Sequence, residues 1–419
     1  MQRKDNGETG RAMQGDSGLP VGLILVLGMA GFVSAADNWV VSALLPAVAA
    51  DFGTGIATAA GVLTAYLVPY GVMQPVYGHL ADRFGKASVL RCILAGLTLA
   101  TAGCVLAPAL GWLMVCRFVA GFFAAGIIAV SLAMIGDETA PSRRPQGVGM
   151  FMGMVFLGQG FSAGIGGFLA DWLDWRMMFV CLIGVALATL WCYRKLPSGK
   201  RKPAGRPFLQ EAVGMMCSER GRYVFPMAFA TGFLLLGAYS YLGSCLHDQA
   251  HASYPVVGLV VMGFGIASLA AGWMLGWLSL RVPPHGLLMA GAVLAGVAAV
   301  LLACCPSIWI GVSAALLMGT GYIFLQSTLA TQAFYVAEDN KGLPSALVGL
   351  GLFGGGGAGT VAGGWCLTQG GYGLLWSSAA VMLFVLALYA GTCLGGRLVG
   401  PEAQASGLTG KKTEDDVQE

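Results

Sequence analysis

Long apolar runs that contain almost no charge constrain this 419-residue chain more than any other feature. Only 10% of its residues are charged and 57% are hydrophobic, whereas soluble domains carry roughly 25% charged residues. About 20 apolar residues cross a bilayer as one helix, and twelve such runs follow one another along the chain. The sequence therefore predicts an all-α membrane protein. It excludes a cytosolic enzyme, a nucleic-acid binder and a disulfide-rich secreted domain.

The runs and the segments between them predict five parts. These are an N-tail at 1–19, a six-helix bundle at 20–194, a linker with a short amphipathic helix at 195–222, a second six-helix bundle at 223–395 and a C-tail at 396–419. All but two of the 23 Lys and Arg residues fall in the tails, the linker, the even-numbered loops or their flanks. Because basic loops stay in the cytoplasm, both tails and the linker are expected there. Short loops without a glycosylation sequon favour a bacterial inner membrane, and the chain is expected to be a monomer.

A weak internal repeat relates the two predicted bundles. Gly78–Arg83 reads GHLADR and aligns with GWLSLR at Gly276–Arg281, about 198 residues later. Two six-helix halves related in this way are typical of transporters with parallel repeats, whose substrate site lies at the membrane midplane. We therefore expect a small-molecule substrate to bind between the halves.

A charged turn is predicted between the second and third spans, where residues 78–86 read GHLADRFGK. Its glycines allow a tight turn, and its charged side chains can form charge-assisted bonds at the membrane edge. The motif residues are Gly78, Asp82, Arg83, Gly85 and Lys86. A second motif, Arg117-x-x-x-Gly121, lies in the fourth span, and Asp137, Glu138, Arg143 and Arg144 follow at its inner end.

Both motifs closely resemble those of the major facilitator superfamily, and the resemblance covers the whole chain. It implies twelve helices in two pseudo-symmetric six-helix bundles that work by alternating access. It also implies that Asp82 and its basic neighbours hold the halves together on the cytoplasmic side when the cavity opens outward. Leu280 stands at the position equivalent to Asp82 in the second half, so this contact is expected to be asymmetric. The Arg117 element is linked in this family to proton handling.

The fifth span resembles the pattern of drug:proton antiporters, G-x8-G-x3-G-P-x2-G-G. The chain matches at Gly149, Gly158 and Gly166-Gly167 but has Ser162-Ala163 in place of Gly-Pro. A proline would kink the helix at this point. The resemblance implies proton-coupled efflux of a drug-like compound, and the aromatic and amide side chains within the spans favour a small neutral or weakly cationic one. The missing Gly-Pro leaves proton-coupled uptake of a metabolite open.

Asp37 and Arg117 are the only acid and base deep inside the predicted spans. A charge at helix-centre depth costs about 2.5–3.5 kcal/mol on insertion scales, so a special role is expected for both. Their depths below the outer surface match, at roughly 15 and 9 Å for 1.5 Å per residue. In one interpretation Asp37 takes up and releases the proton and Arg117 tunes it. In the other, the two form a permanent ion pair that fastens the first span to the fourth.

Polar and aromatic residues within the spans are candidates for a substrate cavity, because such groups face other helices or a cavity. They are Asn38, Tyr66, Tyr70, Gln74, Gln159, Tyr239, Tyr241, Tyr322 and Gln326. No resident cofactor or metal is expected, and the proton is the expected coupling ion. A membrane enzyme or lipid-handling protein would need a reactive or metal-binding cluster. Only His247, Asp248 and His251 resemble one, and solvated loop residues are the simpler interpretation.

Overall fold

The computed structural model describes residues 20–139, 144–196, 208–336, 342–395 and 398. Within these ranges ten helices are long and apolar enough to cross a membrane. One of them is two helices joined at a break, and Arg176–Cys192 is a further, shorter apolar helix. The chain is thus an all-helical membrane protein with twelve helices, as its apolar runs predict.

The first six helices are α1 (Val21–Asp51), α2 (Gly61–Phe84), α3 (Lys86–Val105), α4 (Leu110–Glu138), α5 (Arg144–Trp172) and α6 (Arg176–Cys192). A helical turn, Ile56–Ala59, leads into α2. The next four are α7 (Gly221–Ala250), α8 (Tyr254–Leu278), α9 (Pro284–Cys304) and α10 (Ile308–Ala333). Helices α11 and α12 share the range Gly342–Cys393, with α11 before and α12 after a break at Gly370 and Gly371.

Two helix boundaries show how the sequence sets the length of a span. Helix α1 continues to Asp51, since Ala47–Ala50 are all apolar and support the last turn. Between α11 and α12 only Gly370 and Gly371 leave helical geometry. Gly371 has φ +64°, a left-handed conformation that glycine adopts without steric cost. Two glycines therefore suffice to turn the chain.

Helix packing repeats from the first six helices to the last six. Helix α1 packs along α5 as α7 packs along α11, and α2 packs along α4 as α8 packs along α10. The two sets meet mainly where α5 lies along α8 and where α2 lies along α11. These contacts use small residues, which let helix backbones approach closely inside a membrane. The internal sequence repeat therefore corresponds to a repeat in packing.

Helix α7 is irregular at its centre. An α-helical segment, Gly221–Thr231, changes to a π-helix at Gly232–Leu236 before the chain returns to α-helix. Such π-helical turns are rare and occur frequently at functional sites.

The linker contains a separate short helix, Phe208–Cys217, at the place where the sequence predicts one. Ala212 and Met215 are buried on one side, whereas Val213 and Met216 are 52% and 44% exposed. The helix therefore has two different faces, and part of its apolar surface is free of protein contact. The N-tail, residues 197–207 of the linker and all of the C-tail except Leu398 lie outside the described residues.

Candidate functional site

Asp37 and Arg117 meet inside the first six helices, as their predicted depths suggest. Nη1 of Arg117 lies 2.9 Å from Oδ2 of Asp37, and both side chains are 0% exposed. Nη2 of Arg117 also donates to the Asp37 backbone carbonyl at 2.9 Å. Two bonds to one residue fix the guanidinium against α1. The Nε atom of Arg117 is buried and has no hydrogen-bond partner among the described residues.

Three further helices close around this ion pair. The Thr101 hydroxyl on α3 lies 3.5 Å from Oδ1 of Asp37 and 2.9 Å from the Leu97 carbonyl, so these two acceptors share its one hydrogen. The Arg117 guanidinium lies over the Tyr66 ring on α2, 4.0 Å from its centroid, and 5.8 Å from the Phe179 ring on α6. Cation–π contacts of this kind gain strength when water is excluded. Side chains of α2, α3 and α6 therefore enclose the ion pair that α1 and α4 carry.

Tyr66 begins a row of stacked rings that leads to α11. Its ring stacks on Tyr70 with centroids 5.7 Å apart, and Tyr70 meets Phe353 edge-on at 4.6 Å. Tyr66 and Tyr70 are both buried, at 0% and 2% exposure. The first six helices thus contact the last six through this row of rings.

A second group of rings lies where α1 meets the last six helices. The Trp39 ring lies 5.2 Å from Tyr239, 5.6 Å from Phe264 and 6.4 Å from Tyr322. Phe264 also contacts Tyr239 at 4.1 Å and Tyr322 at 5.7 Å. We call these four residues the central aromatic cluster. Trp39 is two residues after Asp37 and therefore lies about 200° around α1 from it. The cluster and the carboxyl group thus occupy opposite faces of the same helix.

The predicted amides do not form one group. Gln159 on α5 is 5% exposed, and its Nε2 atom has no partner among the described residues. The next residue, Gly160, packs against Gly265 of α8, and Gly265 follows Phe264 of the central aromatic cluster. Gln74 packs on Gly349 of α11. The remaining two, Asn38 and Gln326, are buried and half-buried respectively.

Tyr241 lies apart from the central aromatic cluster. Its hydroxyl donates to the Thr360 carbonyl at 2.6 Å, and its ring packs on Gly363. It ties α7 to α11 within the last six helices. Nearby, a crevice of about 260 Å³ opens between the start of α2 and the outer part of α11. Its lining includes Thr64, Thr360 and Trp365.

The charged turn between α2 and α3 joins the two helices at Gly85. Gly85 has φ +91°, a conformation that side chains disfavour. Lys86 is 3% exposed; it donates to the Ala133 carbonyl at 3.0 Å and forms an ion pair with Asp137 on α4. This ion pair lies within the first six helices rather than between the halves. The Arg83 guanidinium lies 5.4 Å from the Phe84 ring, and Gly78 is half-buried.

Two residues of the predicted cytoplasmic motif are not placed. Arg143 and the Asp82 side chain lie outside the described part of the structure. The expected contact of Asp82 with the second half therefore stays a prediction.

The histidines at the end of α7, His247 and His251, have separate environments. Nδ1 of His247 lies 2.9 Å from the Ala252 carbonyl, and the His247 ring stacks on Tyr254 at 4.9 Å. Asp248 accepts a bond from the Tyr372 hydroxyl at 2.7 Å, and His251 ends α7 with φ 50°. Among the described residues, no three His, Cys, Asp or Glu side chains come together as a metal site.

The sequence model of the Major Facilitator Superfamily matches residues 27–342. The chain belongs to the major facilitator superfamily. It is therefore an integral membrane protein of a transporter family, not an enzyme. A solved nucleoside transporter shares this fold with a TM-score of 0.75 at 13% identity, over 88% of this chain and 98% of that one.

Two relatives with curated descriptions match parts of the chain. A puromycin resistance protein of Streptomyces alboniger is 32% identical over 212 residues, which are 50% of this chain and 41% of the relative. A multidrug transporter of Candida glabrata is 36% identical over 141 residues, or 33% of this chain and 24% of the relative. The matched region thus spans less than half the length of both relatives.

Several site residues escape the sequence reasoning. Trp39, Phe264 and Phe353 are apolar rings within apolar runs, so nothing in composition separates them from lipid-facing aromatics. No motif of the sequence marks Thr101 on α3, and only packing brings its hydroxyl to the carboxylate.

Proposed function

We propose that this chain is a secondary transporter that exports a small neutral or weakly cationic organic compound in exchange for protons. Asp37 is the protonation site, and Arg117 stabilises its ionised form. The two bundles, 20–194 and 223–395, alternate between inward and outward access. The transporter operates in a bacterial inner membrane with both termini in the cytoplasm.

The fully buried Asp37–Arg117 ion pair carries this proposal. Breaking a buried ion pair by removing one charge typically costs 3–5 kcal/mol, so protonation of Asp37 changes the balance of forces in the first six helices. A group whose charge has such a large effect is suited to couple proton uptake to a conformational change.

The chemistry of the central aromatic cluster supports the substrate class. Four rings contact one another at this place, and Gln159 on α5, the helix that packs along α8, has unpaired amide hydrogens. Asp37 and Arg117 lie at the other face of α1 and neutralise each other. Such a lining favours compounds with little net charge. The names of the two relatives, a puromycin resistance protein and a multidrug transporter, agree with this class.

Transport in proteoliposomes under an imposed pH gradient tests the proposal. The panel contains puromycin and ethidium as cationic compounds, chloramphenicol as a neutral one and decanoate as an anionic one. We expect uphill movement of a cationic or neutral member, and none of decanoate. Asp37→Asn should abolish uphill movement, whereas Asp174→Asn at the protein surface should not. Uphill transport that survives in Asp37→Asn would contradict the assignment.

Proton-coupled uptake is the second candidate. Helix α5 is continuous through Ser162 and Ala163, where a drug:proton antiporter would carry Gly-Pro. The same vesicles decide between the candidates, because exchange requires the compound and the proton to move in opposite directions, and uptake requires the same direction.

A further inference from the structure

A continuous line of contacts joins the Asp37 carboxylate to α11. Arg117 binds Asp37 at 2.9 Å and lies over the Tyr66 ring at 4.0 Å. Tyr66 stacks on Tyr70, which meets Phe353 edge-on at 4.6 Å. We call Tyr66, Tyr70 and Phe353 the aromatic relay. It begins at the ion pair and ends on a helix of the other half.

We propose that the aromatic relay transmits the ionisation state of Asp37 to α11, so that the contact between α2 and α11 loosens when Asp37 is neutral. Tyr66, Tyr70 and Phe353 are then positioning residues for coupling. This role presupposes the proposed function in one respect, that Asp37 gains and loses a proton.

The starting point is the position of the Arg117 guanidinium. The Asp37 charge and the Asp37 carbonyl together hold it over Tyr66. Thr101 and Tyr66 are the other groups that interact with the carboxyl group, and the Cys104 thiol shares its surroundings. Of these neighbours of the Asp37 carboxyl group, Arg117 is the charged one. Protonation of Asp37 therefore weakens the bond from Nη1, and the unpaired Nε gives Arg117 a reason to reorient toward another acceptor.

The end point is a contact with little free space. Gly71 follows Tyr70, and Gly354 follows Phe353; a Cβ placed on Gly71 would lie 2.7 Å from the Gly354 nitrogen. One turn further toward the cytoplasm, Gln74 occupies the space beside Gly349. Closely packed interiors transmit displacements rather than absorbing them. A shift of the Tyr70 ring therefore has to move Phe353 or separate the two backbones.

Amide hydrogen exchange of residues 349–357 tests the relay without any substrate. The protein is compared in lipid nanodiscs with Asp37 or with Asp37→Asn, which mimics the neutral carboxyl group. We expect exchange in this segment to be at least about threefold faster in Asp37→Asn, because the cation–π contact that the change weakens is fully buried and is stronger than an exposed one. An unchanged rate would overturn the relay.

Ring substitutions identify the route. In Phe353→Leu the response to Asp37→Asn should disappear. In the matched control Phe122→Leu, which removes the ring that Tyr77 meets at 6.0 Å within the first half, the response should persist. Tyr70→Phe retains the ring and should keep the response, whereas Tyr70→Leu removes the ring and should lose the response. If Phe353→Leu does not fold, Tyr70→Leu takes its place in the test. A response that survives loss of the Tyr70 or Phe353 ring would also overturn the relay.

The relay and the proposed function fail separately. Asp37→Asn that abolishes proton-coupled transport without changing exchange in 349–357 would overturn the relay alone. A ring-dependent exchange response together with intact uphill transport in Asp37→Asn would overturn the proposed function and leave the mechanical link in place.

Discussion

Gly71 of α2 and Gly354 of α11 meet backbone to backbone, but only one of them lacks space for a side chain. A Cβ on Gly71 would lie 2.7 Å from the Gly354 nitrogen and 3.2 Å from the Leu350 carbonyl, whereas a Cβ on Gly354 would meet only Leu350 Cδ1 at 3.8 Å. This crossing between the two halves is therefore sensitive to substitution at Gly71 and tolerant at Gly354.

Gly71→Ala should destabilise the protein, because the added methyl group must push the two backbones apart. Overpacking of this kind typically costs about 1–3 kcal/mol. Gly354→Ala is the matched control and should behave like the unmodified protein. Thermal unfolding in detergent measures both variants. Equal midpoints for the two would show that α2 and α11 are not in this arrangement in solution.

Arg117→Leu should destabilise the protein more than Arg117→Leu combined with Asp37→Leu. The single change leaves a buried carboxyl group without its partner, which typically costs about 3–5 kcal/mol, whereas replacing both charges by apolar groups is often neutral. The thermal midpoints of the single and double variants give this comparison. Additive losses in the double variant would mean that the ion pair is not buried.

Asp137→Asn should cost more stability than Asp174→Asn. Asp137 pairs with Lys86, which is 3% exposed, and a hydrogen bond to a charged group contributes about 1.5–3 kcal/mol. Asp174 pairs with Arg176 at 3.5 Å on the exposed outer surface, where ion pairs contribute about 0–1 kcal/mol. The unfolding midpoints of the two variants should therefore differ, and the reverse order would argue against a buried Lys86.

Trp39→Leu should raise the KM for the transported member of the panel by about tenfold, because the loss of one aromatic contact with the bound compound removes about 0.5–1.5 kcal/mol of binding free energy. Trp309→Leu removes an indole that is 81% exposed and should leave KM unchanged. Initial transport rates over a range of concentrations give both values. An equal effect of the two substitutions would remove the central aromatic cluster from the substrate site.

Much of the fold follows from hydrophobicity alone, because length and charge exclusion define membrane helices without any knowledge of packing. The meeting of Asp37 and Arg117 was also predictable, since two isolated charges in hydrocarbon have a strong reason to pair. The aromatic partners were not. Trp39, Phe264 and Phe353 resemble any other apolar residue in a span, and their contacts depend on how helices far apart in sequence are rotated.

The same limit explains the assignment of Lys86. The family resemblance implies that the motif containing Lys86 contacts the second half, but whether Lys86 reaches that half depends on where α4 ends. Asp137 and the Ala133 carbonyl at the end of α4 lie closer. Sequence spacing determines that a base is present at the turn, and only the three-dimensional arrangement determines its partner.

The two-glycine junction at Gly370 and Gly371 leaves α11 and α12 almost without slack. A tilt of α11 therefore displaces the adjoining end of α12, so the two helices move together. An epitope inserted at this junction would uncouple their motions, and it should be tolerated far less well than the same epitope inserted in a longer connection.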